Sequence, residues 1–178
     1  QQEPDFRGKR VGVIGTGSSG TQLIPLVAEQ AKHLTVFVRT PNFYANANNR
    51  PLTDSDQAWW MQNRTRIRER LRTSEIVGSG DVFMNEGMLA TRLRKGDEYS
   101  ENERREILEK RWQFGGATMP RAFVDILTNH ELNDEISGFL RAKIAHIIKD
   151  PATAEIMTPR NIYFGTKRIC VGTNFYET

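Results

Sequence analysis

The chain has 178 residues and a formal net charge of +3 at pH 7, with basic and acidic residues mixed along its polar regions. Such mixing argues against a dedicated nucleic-acid-binding protein, which would cluster its basic residues on one face. The apolar runs are far shorter than the about 20 residues that a transmembrane helix needs, so we expect no membrane partner.

The first elements along the chain predict a β-α-β unit. Residues 11–14 are short, apolar and followed by glycine, which is typical of a buried strand in a parallel sheet. Residues 19–32 carry apolar side chains at helical spacing, and residues 34–38 predict a second strand. A parallel crossover of this kind spans about 30 residues. We therefore expect an α/β fold with a Rossmann-like nucleotide-binding domain.

The next part of the chain is mainly helical by pattern. Residues 43–53 have no apolar period and predict a loop. Residues 54–72 form a helical pattern, glycines at 78–80 interrupt it, and residues 82–93 are a weaker helix candidate.

Two further helices precede a return to strand-like composition. Ser100 and Glu103 have the spacing of a capping box that opens a helix ending near Phe114. Residues 133–148 place apolar side chains on one helical face. From residue 159 the composition favours strands, at 162–164 and 167–171, separated by a Gly-Thr turn.

This order predicts three regions. Residues 1–44 and 159–178 belong to one nucleotide-binding domain, and a mainly helical insertion at residues 45–158 interrupts it. The chain starts with Gln1 and its first strand follows almost at once. We therefore expect it to be a piece of a longer protein.

A glycine-rich turn lies between the first strand and the first helix. It is Gly15-Thr16-Gly17-Ser18-Ser19-Gly20, with the spacing G-x-G-x-x-G. The first glycine permits the tight turn, the second lets a pyrophosphate approach the backbone, and the third lets helix and strand pack closely. The free amides and dipole of the helix N-terminus favour an anion. We predict a dinucleotide site; the alternative is a tight turn without a ligand.

The end of the second strand predicts which dinucleotide binds. A carboxylate about 20 residues after the glycines would bind the ribose hydroxyls of NAD or FAD. This chain has Arg39 and Thr40 there instead. A cation and a hydroxyl suit the 2′-phosphate of NADP(H), and no carboxylate repels it. The alternative is that Arg39 is a solvated arginine at a strand end.

The remaining reactive residue types predict no second site. His33, His130 and His146 are dispersed without metal-ligand spacing, so we predict no metal. Cys170 is the only cysteine, which excludes an internal disulfide and fits the reducing cytoplasm. We predict that Cys170 is a small buried hydrophobic residue.

Several stretches together resemble the NADPH-binding region of Baeyer–Villiger monooxygenases, flavoproteins that insert an oxygen atom next to a ketone carbonyl. They are FRGKRVGVIGTGSSGTQ, LTVFVRTPN, DPATAEIMTPR and GTKRICVGTNFYET. Many nucleotide-binding proteins share the glycine motif, but the S-S-G-T-Q continuation, the R-T-P-N strand end and the distant T-K-R pattern are more specific. The middle of the chain is similar to the helical insertion in the NADPH domain of this family.

The resemblance implies a role for each matching position. Arg39, Thr40 and Lys167 would surround the 2′-phosphate of NADPH, and Arg168 would be the active-site arginine next to the flavin. The family uses NADPH, FAD and O2 to convert a small-molecule ketone into an ester or a lactone. A further group would line the diphosphate and ribose of NADPH: Gly15, Thr16, Gly17, Ser18, Ser19, Gly20 and Gln22.

The chain also departs from the family pattern. It has neither the FAD-binding glycine motif nor the linker fingerprint with a histidine and a tryptophan. We therefore expect a missing FAD domain of the same chain to bind most of the FAD, and the piece alone to be inactive. Two alternatives stay open: a flavin-dependent N- or S-oxygenating monooxygenase, and a non-catalytic NADP-sensing module.

Overall fold

The computed structural model describes residues 4–73 and 94–178. The predicted glycine break at 78–80 and the weak helix predicted at 82–93 lie outside the described residues. Within the described part, no helix combines the length and the apolarity that crossing a bilayer requires.

The chain divides into two compact units. The first consists of Gln1–Asn48 together with Arg94–Thr178, and the second is Asn49–Leu93. All residues predicted to bind nucleotide lie in the first unit. The three-region division at residues 44 and 158 stays a prediction.

The predicted β-α-β unit is present in the first unit. Its strands pair in parallel, with Val13 opposite Val36. The helix ends earlier than predicted because the chain turns to enter the second strand, and the Lys32 amide donates to the Lys9 carbonyl at 2.9 Å. The elements are β1 (Arg10–Ile14), α1 (Ser18–Ala28) and β2 (His33–Phe37).

Described residues cover only one face of the β1–β2 pair. Val13 and Val36 pack against a hydrophobic cluster, whereas Ile14 and Phe37 are 88% and 57% exposed. The sequence predicted a fully buried strand, as parallel sheets usually require. That prediction is wrong for this chain by itself, because burial alternates along both strands.

A second parallel pair joins the two ends of the chain. β3 (Tyr44–Asn46) pairs with β4 (Cys170–Gly172), with Tyr44 opposite Cys170. The prediction of a loop over residues 43–53 is therefore wrong for β3. This strand forms because β4 supplies its hydrogen-bonding partner. The strand predicted at 167–171 begins later, at Cys170, and residues 162–164 are not a strand.

Helices fill the rest of the first unit. The predicted capping box is confirmed, since the Ser100 amide donates to the Glu103 carboxylate at 2.7 Å and the Ser100 side chain accepts from the Glu103 amide. A short helix after Asp150 was not predicted, although an aspartate cap followed by proline is a start signal. The helices are α3 (Glu101–Phe114), α4 (His130–Ile147) and α5 (Pro151–Met157), with 3-10 helices at Gly96–Glu98 and Gly116–Arg121.

The second unit is described through one helix, α2 (Asp54–Thr73), close to its predicted bounds. Asp56 organises its start: the carboxylate accepts from Arg50 at 2.5 Å and from the Thr53 amide at 2.8 Å. The hydrogen bond from Arg50 holds the pKa of Asp56 well below its usual range.

Two hydrophobic clusters form the core of the first unit. α4 contributes to both, with Ile136 and Leu140 in the first cluster and Ile144 in the second. The first cluster also contains Phe43, Leu108, Met119, Phe123 and Phe164; the second contains Ile24, Tyr44, Cys170, Phe175 and Tyr176.

A buried asparagine of α4 holds the segment that precedes β4. The Asn133 amide nitrogen donates to the carbonyls of Ile126 at 2.8 Å and Phe164 at 2.9 Å. Its oxygen accepts from the Phe164 amide at 3.0 Å and from the Ser137 hydroxyl at 3.2 Å. Because Phe164 satisfies its backbone through a side chain, the segment 162–164 does not need to pair as a strand.

Replacing Asn133 with leucine should destabilise the first unit by about 3 kcal/mol, because several buried backbone groups lose their partners. Urea unfolding measures the loss, and hydrogen exchange of peptides covering α4 and residues 159–166 locates it. Asn102→Leu on the exposed face of α3 is the matched control and should change stability by less than about 0.5 kcal/mol. Equal stability of the two variants would contradict the role given to Asn133.

Candidate functional site

The glycine turn after β1 has the geometry of an anion-binding loop. Gly15 has a φ of 93°, a conformation that favours glycine, and its amide donates to the Phe37 carbonyl at 2.9 Å. The chain then enters α1 with Gly17 at the N-cap position. The turn is therefore tied to the end of β2 by a backbone hydrogen bond.

Gly20 permits the close approach of α1 to this turn. A Cβ atom at position 20 would lie 2.3 Å from the Gly15 carbonyl oxygen, well inside a van der Waals contact. A Cβ atom at Gly17 would meet no atom within 4 Å, so the surface above Gly17 is open. The third glycine thus serves packing, and the second leaves room for a ligand, as the motif predicts.

The N-terminus of α1 is available to an anion. Gly17 makes no side-chain cap, and the first turn contains no acidic residue. Such a terminus exposes backbone amides and the positive end of the helix dipole. A diphosphate can therefore be held here by backbone groups alone.

Two other predicted residues of the loop contact β4. Thr16 is buried, and its carbonyl lies 3.9 Å from the Cys170 sulfur. The Gln22 side-chain amide donates to the Val171 carbonyl at 3.4 Å. Cys170 is a buried free thiol, which confirms its predicted character.

Two of the three residues predicted to bind the 2′-phosphate, Arg39 and Thr40, lie at the same edge of the β1–β2 pair as the glycine turn, whereas Lys167 does not line the cleft there. Arg39 and Thr40 follow β2 directly and line a cleft of about 380 Å³. The end of α5 and the segment after it also line this cleft, including Thr158, Arg160 and Asn161. The sequence analysis missed Arg160 because nothing in the chain order links position 160 to position 39.

Arg168 is brought next to the end of β2 through its backbone. The Asn42 side chain donates to the Arg168 carbonyl at 2.7 Å and contacts the Cys170 sulfur at 3.4 Å. Lys167 and Arg168 are both exposed. Asn42 is a positioning residue that the sequence analysis left without a role, although it belongs to the quoted R-T-P-N stretch.

Neutral aromatic groups fill the cluster next to β4. Burial raises the pKa of Tyr44 to about 12, and burial also raises the pKa of Tyr176. Both phenols therefore stay uncharged at neutral pH and add no negative charge that would oppose an anion. Among the described residues, no group of three or more histidine, cysteine, aspartate or glutamate side chains has the geometry of a metal site.

Comparison with known proteins confirms the resemblance found in the sequence. The chain is 40% identical to a 2-oxo-Δ3-4,5,5-trimethylcyclopentenylacetyl-CoA monooxygenase of Pseudomonas putida, over 98% of this chain and 30% of the relative. It is 37% identical to a Baeyer–Villiger monooxygenase of Pseudooceanicola batsensis, over 97% of this chain and 30% of that protein. A phenazine N-monooxygenase of Lysobacter antibioticus is also 37% identical, over 97% of this chain and 30% of that protein. The chain thus spans about 30% of the length of these curated relatives.

Solved structures show the same likeness in three dimensions. A steroid monooxygenase bound to NADP superposes with a TM-score of 0.83 at 42% identity, covering 98% of this chain and 32% of that one. The monooxygenase OTEMO in complex with FAD and NADP superposes with a TM-score of 0.82 at 36% identity, covering 97% of this chain and 31% of that one. No family model matches the chain. The relatives thus include a Baeyer–Villiger monooxygenase and monooxygenases solved with NADP or with FAD and NADP, and the predicted α/β fold class is confirmed.

Replacing Gly20 with alanine should weaken the binding of ADP-ribose about tenfold or more, because the added methyl group must push α1 away from the turn. ADP-ribose has a diphosphate but no 2′-phosphate, so titration calorimetry with it reports on the loop. Gly138→Ala in α4 is the matched control, since a Cβ there meets no atom within 4 Å. Unchanged affinity in Gly20→Ala would contradict a diphosphate site at the turn.

Proposed function

We propose that this chain is the NADPH-binding region of an FAD-dependent Baeyer–Villiger monooxygenase, which uses O2 to convert a ketone into an ester or a lactone. One observation carries the proposal: the glycine turn and the Arg39–Thr40 cleft lie at the same edge of one parallel strand pair. This is the edge at which Rossmann-like domains bind dinucleotides. The chain's homology to monooxygenases of this kind supports the reaction class.

The cofactor of this region is NADPH rather than NADH. The cleft beyond β2 offers the guanidinium of Arg39 and the hydroxyl of Thr40, and none of its described lining residues is a carboxylate. Arginine is well suited to a phosphate because its planar fork can donate two parallel hydrogen bonds. The 2′-phosphate of NADPH occupies this cleft, and the resemblance adds Lys167, which precedes β4 in the chain, as a further partner.

The diphosphate and adjacent ribose occupy the start of α1. The loop residues that hold them are Gly15, Thr16, Gly17, Ser18, Ser19, Gly20 and Gln22. The fit rests on two features of this chain, the close approach at Gly20 and the absence of a side-chain cap on α1. Backbone amides then supply most of the hydrogen bonds.

Arg168 is the catalytic residue of this region. FAD, bound mainly by other parts of the same polypeptide, supplies the oxygen chemistry of the reaction. A guanidinium is a cation with several hydrogen-bond donors, so Arg168 can stabilise negative charge that develops next to the flavin and help to orient the nicotinamide. The hydrogen bond from the Asn42 side chain to the Arg168 carbonyl, which fixes the backbone of Arg168, supports this assignment.

Within this proposal, residues 1–44 and 159–178 are parts of a Rossmann-like NADPH domain, and residues 45–158 are its helical insertion. The partners are a small-molecule ketone, O2 and the FAD domain of the same chain. The protein acts in the cytoplasm.

A second candidate is oxygenation at nitrogen. A relative named phenazine N-monooxygenase is 37% identical to the chain, the same identity as the Baeyer–Villiger monooxygenase. Oxygenation at nitrogen shares the requirement for the NADPH site and differs in the substrate that is oxidised. The remaining alternative, an NADP-sensing module, predicts NADPH binding without turnover.

Arg39→Ala should reduce the preference for NADPH over NADH at least about tenfold, since the 2′-phosphate loses a charge-assisted partner. Steady-state kinetics with each nucleotide in the full-length FAD-loaded protein measure the ratio. Arg105→Ala, on the exposed side of α3, is the matched control and should leave the ratio unchanged. An unchanged ratio in Arg39→Ala would mean that Arg39 is a solvated strand-end residue.

Arg168→Ala should lower ester or lactone formation at least about 100-fold, because a charge aimed at the developing anion is lost. The affinity for NADPH should change far less. Product analysis with a panel of cyclic, linear and aromatic ketones checks this in the full-length protein.

The unmodified protein separates the three functions in the same assay. Ester formation supports the proposal. Oxidation of amines or sulfides alone would favour the N- or S-oxygenating alternative, and NADPH binding without consumption would favour the sensing module.

A further inference from the structure

The cleft beyond β2 contains a second arginine that the resemblance does not assign. Arg39 and Arg160 both line it, and these two are the cations among its described lining residues. Its volume of about 380 Å³ is ample for a phosphate group with its ribose. Two arginines therefore border one anion-sized space, although the Arg160 guanidinium itself pairs with Glu155.

The segment that carries Arg160 is anchored by hydrogen bonds from helix α4 and at the end of α5. The Arg141 guanidinium of α4 donates to the carbonyls of Pro159 at 2.7 Å, Arg160 at 3.4 Å and Ile162 at 3.4 Å. The Thr158 amide and hydroxyl both donate to the Ala154 carbonyl, which closes the end of α5. The backbone on both sides of Arg160 is thus fixed by buried and partly buried hydrogen bonds, and Arg160 itself by an exposed one.

The Arg160 side chain is less restrained than its backbone. It pairs with Glu155 of α5, but the two side chains are 57% and 63% exposed. An ion pair this exposed contributes little to stability, because water screens it and both side chains lose freedom when they pair. The guanidinium can therefore turn towards, or be shared with, an anion in the cleft at little cost.

Charge matching favours a phosphomonoester as that anion. Such a group carries about −1.5 to −2 charges at pH 7. Arg39 supplies one positive charge, and Arg160 supplies a second. A nucleotide with a ribose hydroxyl in place of the phosphate has no charge for these groups to meet.

We propose that Arg160 is a second 2′-phosphate-binding residue, which closes on the phosphate from the α5 side of the cleft that Arg39 also lines. Glu155 competes with the phosphate for this guanidinium and so limits the affinity. This inference rests on the proposed NADPH site and adds to it a residue that sets the preference for NADPH over NADH.

The test compares two probes in the full-length protein. Adenosine 2′,5′-bisphosphate carries the 2′-phosphate and 5′-AMP does not, and both compete with NADPH. Arg160→Gln should raise the inhibition constant of the bisphosphate about tenfold, the loss expected for one hydrogen bond to a charged group. The constant for 5′-AMP should stay within twofold.

Two further variants sharpen the result. Glu155→Gln removes the competing carboxylate and should lower the inhibition constant of the bisphosphate with no effect on 5′-AMP. Arg105→Gln on α3 is the matched charge control and should behave as the unmodified protein. Melting temperatures of all variants identify any general loss of folding.

The outcomes distinguish this inference from the proposed function. If the unmodified protein prefers the bisphosphate over 5′-AMP and Arg160→Gln keeps that preference, the role of Arg160 is wrong and the NADPH site stands. An equal loss for both probes would also overturn it, since Arg160 would then not recognise the 2′-phosphate. If the unmodified protein shows no preference, the NADPH site itself is wrong.

Discussion

The parallel pairing of β3 with β4 is the constraint on which the rest of the first unit depends. Three residues of each strand pair, although the strands come from opposite ends of the chain. Neighbouring residues in or next to these strands belong to different clusters. Ala45 and Ile169 belong to the first cluster, whereas Tyr44 and Cys170 belong to the second. The pair therefore separates the two clusters, and burial on both sides holds it in place despite its short length.

Helix α4 converts this packing into the geometry of the candidate site. Its apolar residues join both clusters, and its polar residues hold the chain that leads to β4. Asn133 fixes the backbone at Phe164, and Arg141 fixes the carbonyls from Pro159 to Ile162. The segment that lines the cleft together with Arg39 is thus set by a helix from the region predicted as an insertion. A substitution of Asn133 or Arg141 in α4 is therefore expected to alter the position of the segment that lines the cleft.

In the proposed site, the two halves would recognise anions by different physical means. The turn before α1 offers backbone amides and the helix dipole, which are built into the fold and carry no full charge. The cleft beyond β2 offers side-chain guanidinium groups, and Arg160 is largely exposed. Salt screens exposed charges strongly, so the proposal implies that phosphate binding at the cleft depends on ionic strength more than binding at the turn. The uncovered face of β1 and β2 borders the turn, since exposed Ile14 directly precedes Gly15.

The sequence by itself determined the local features of this protein. The β-α-β unit, the glycine turn and the capped start of α3 follow from patterns within a few residues, because turn sterics, apolar period and caps act over that range. Only the tertiary structure decided that residues 44–46 are a strand, that residues 162–164 are not, and that Arg160 and Arg39 line the same cleft. Each of these depends on partners far along the chain: β4 for β3, Asn133 for Phe164, and Arg141 for the wall at Arg160. No local pattern encodes such pairs, since they arise only when helix α4 packs into both clusters at once.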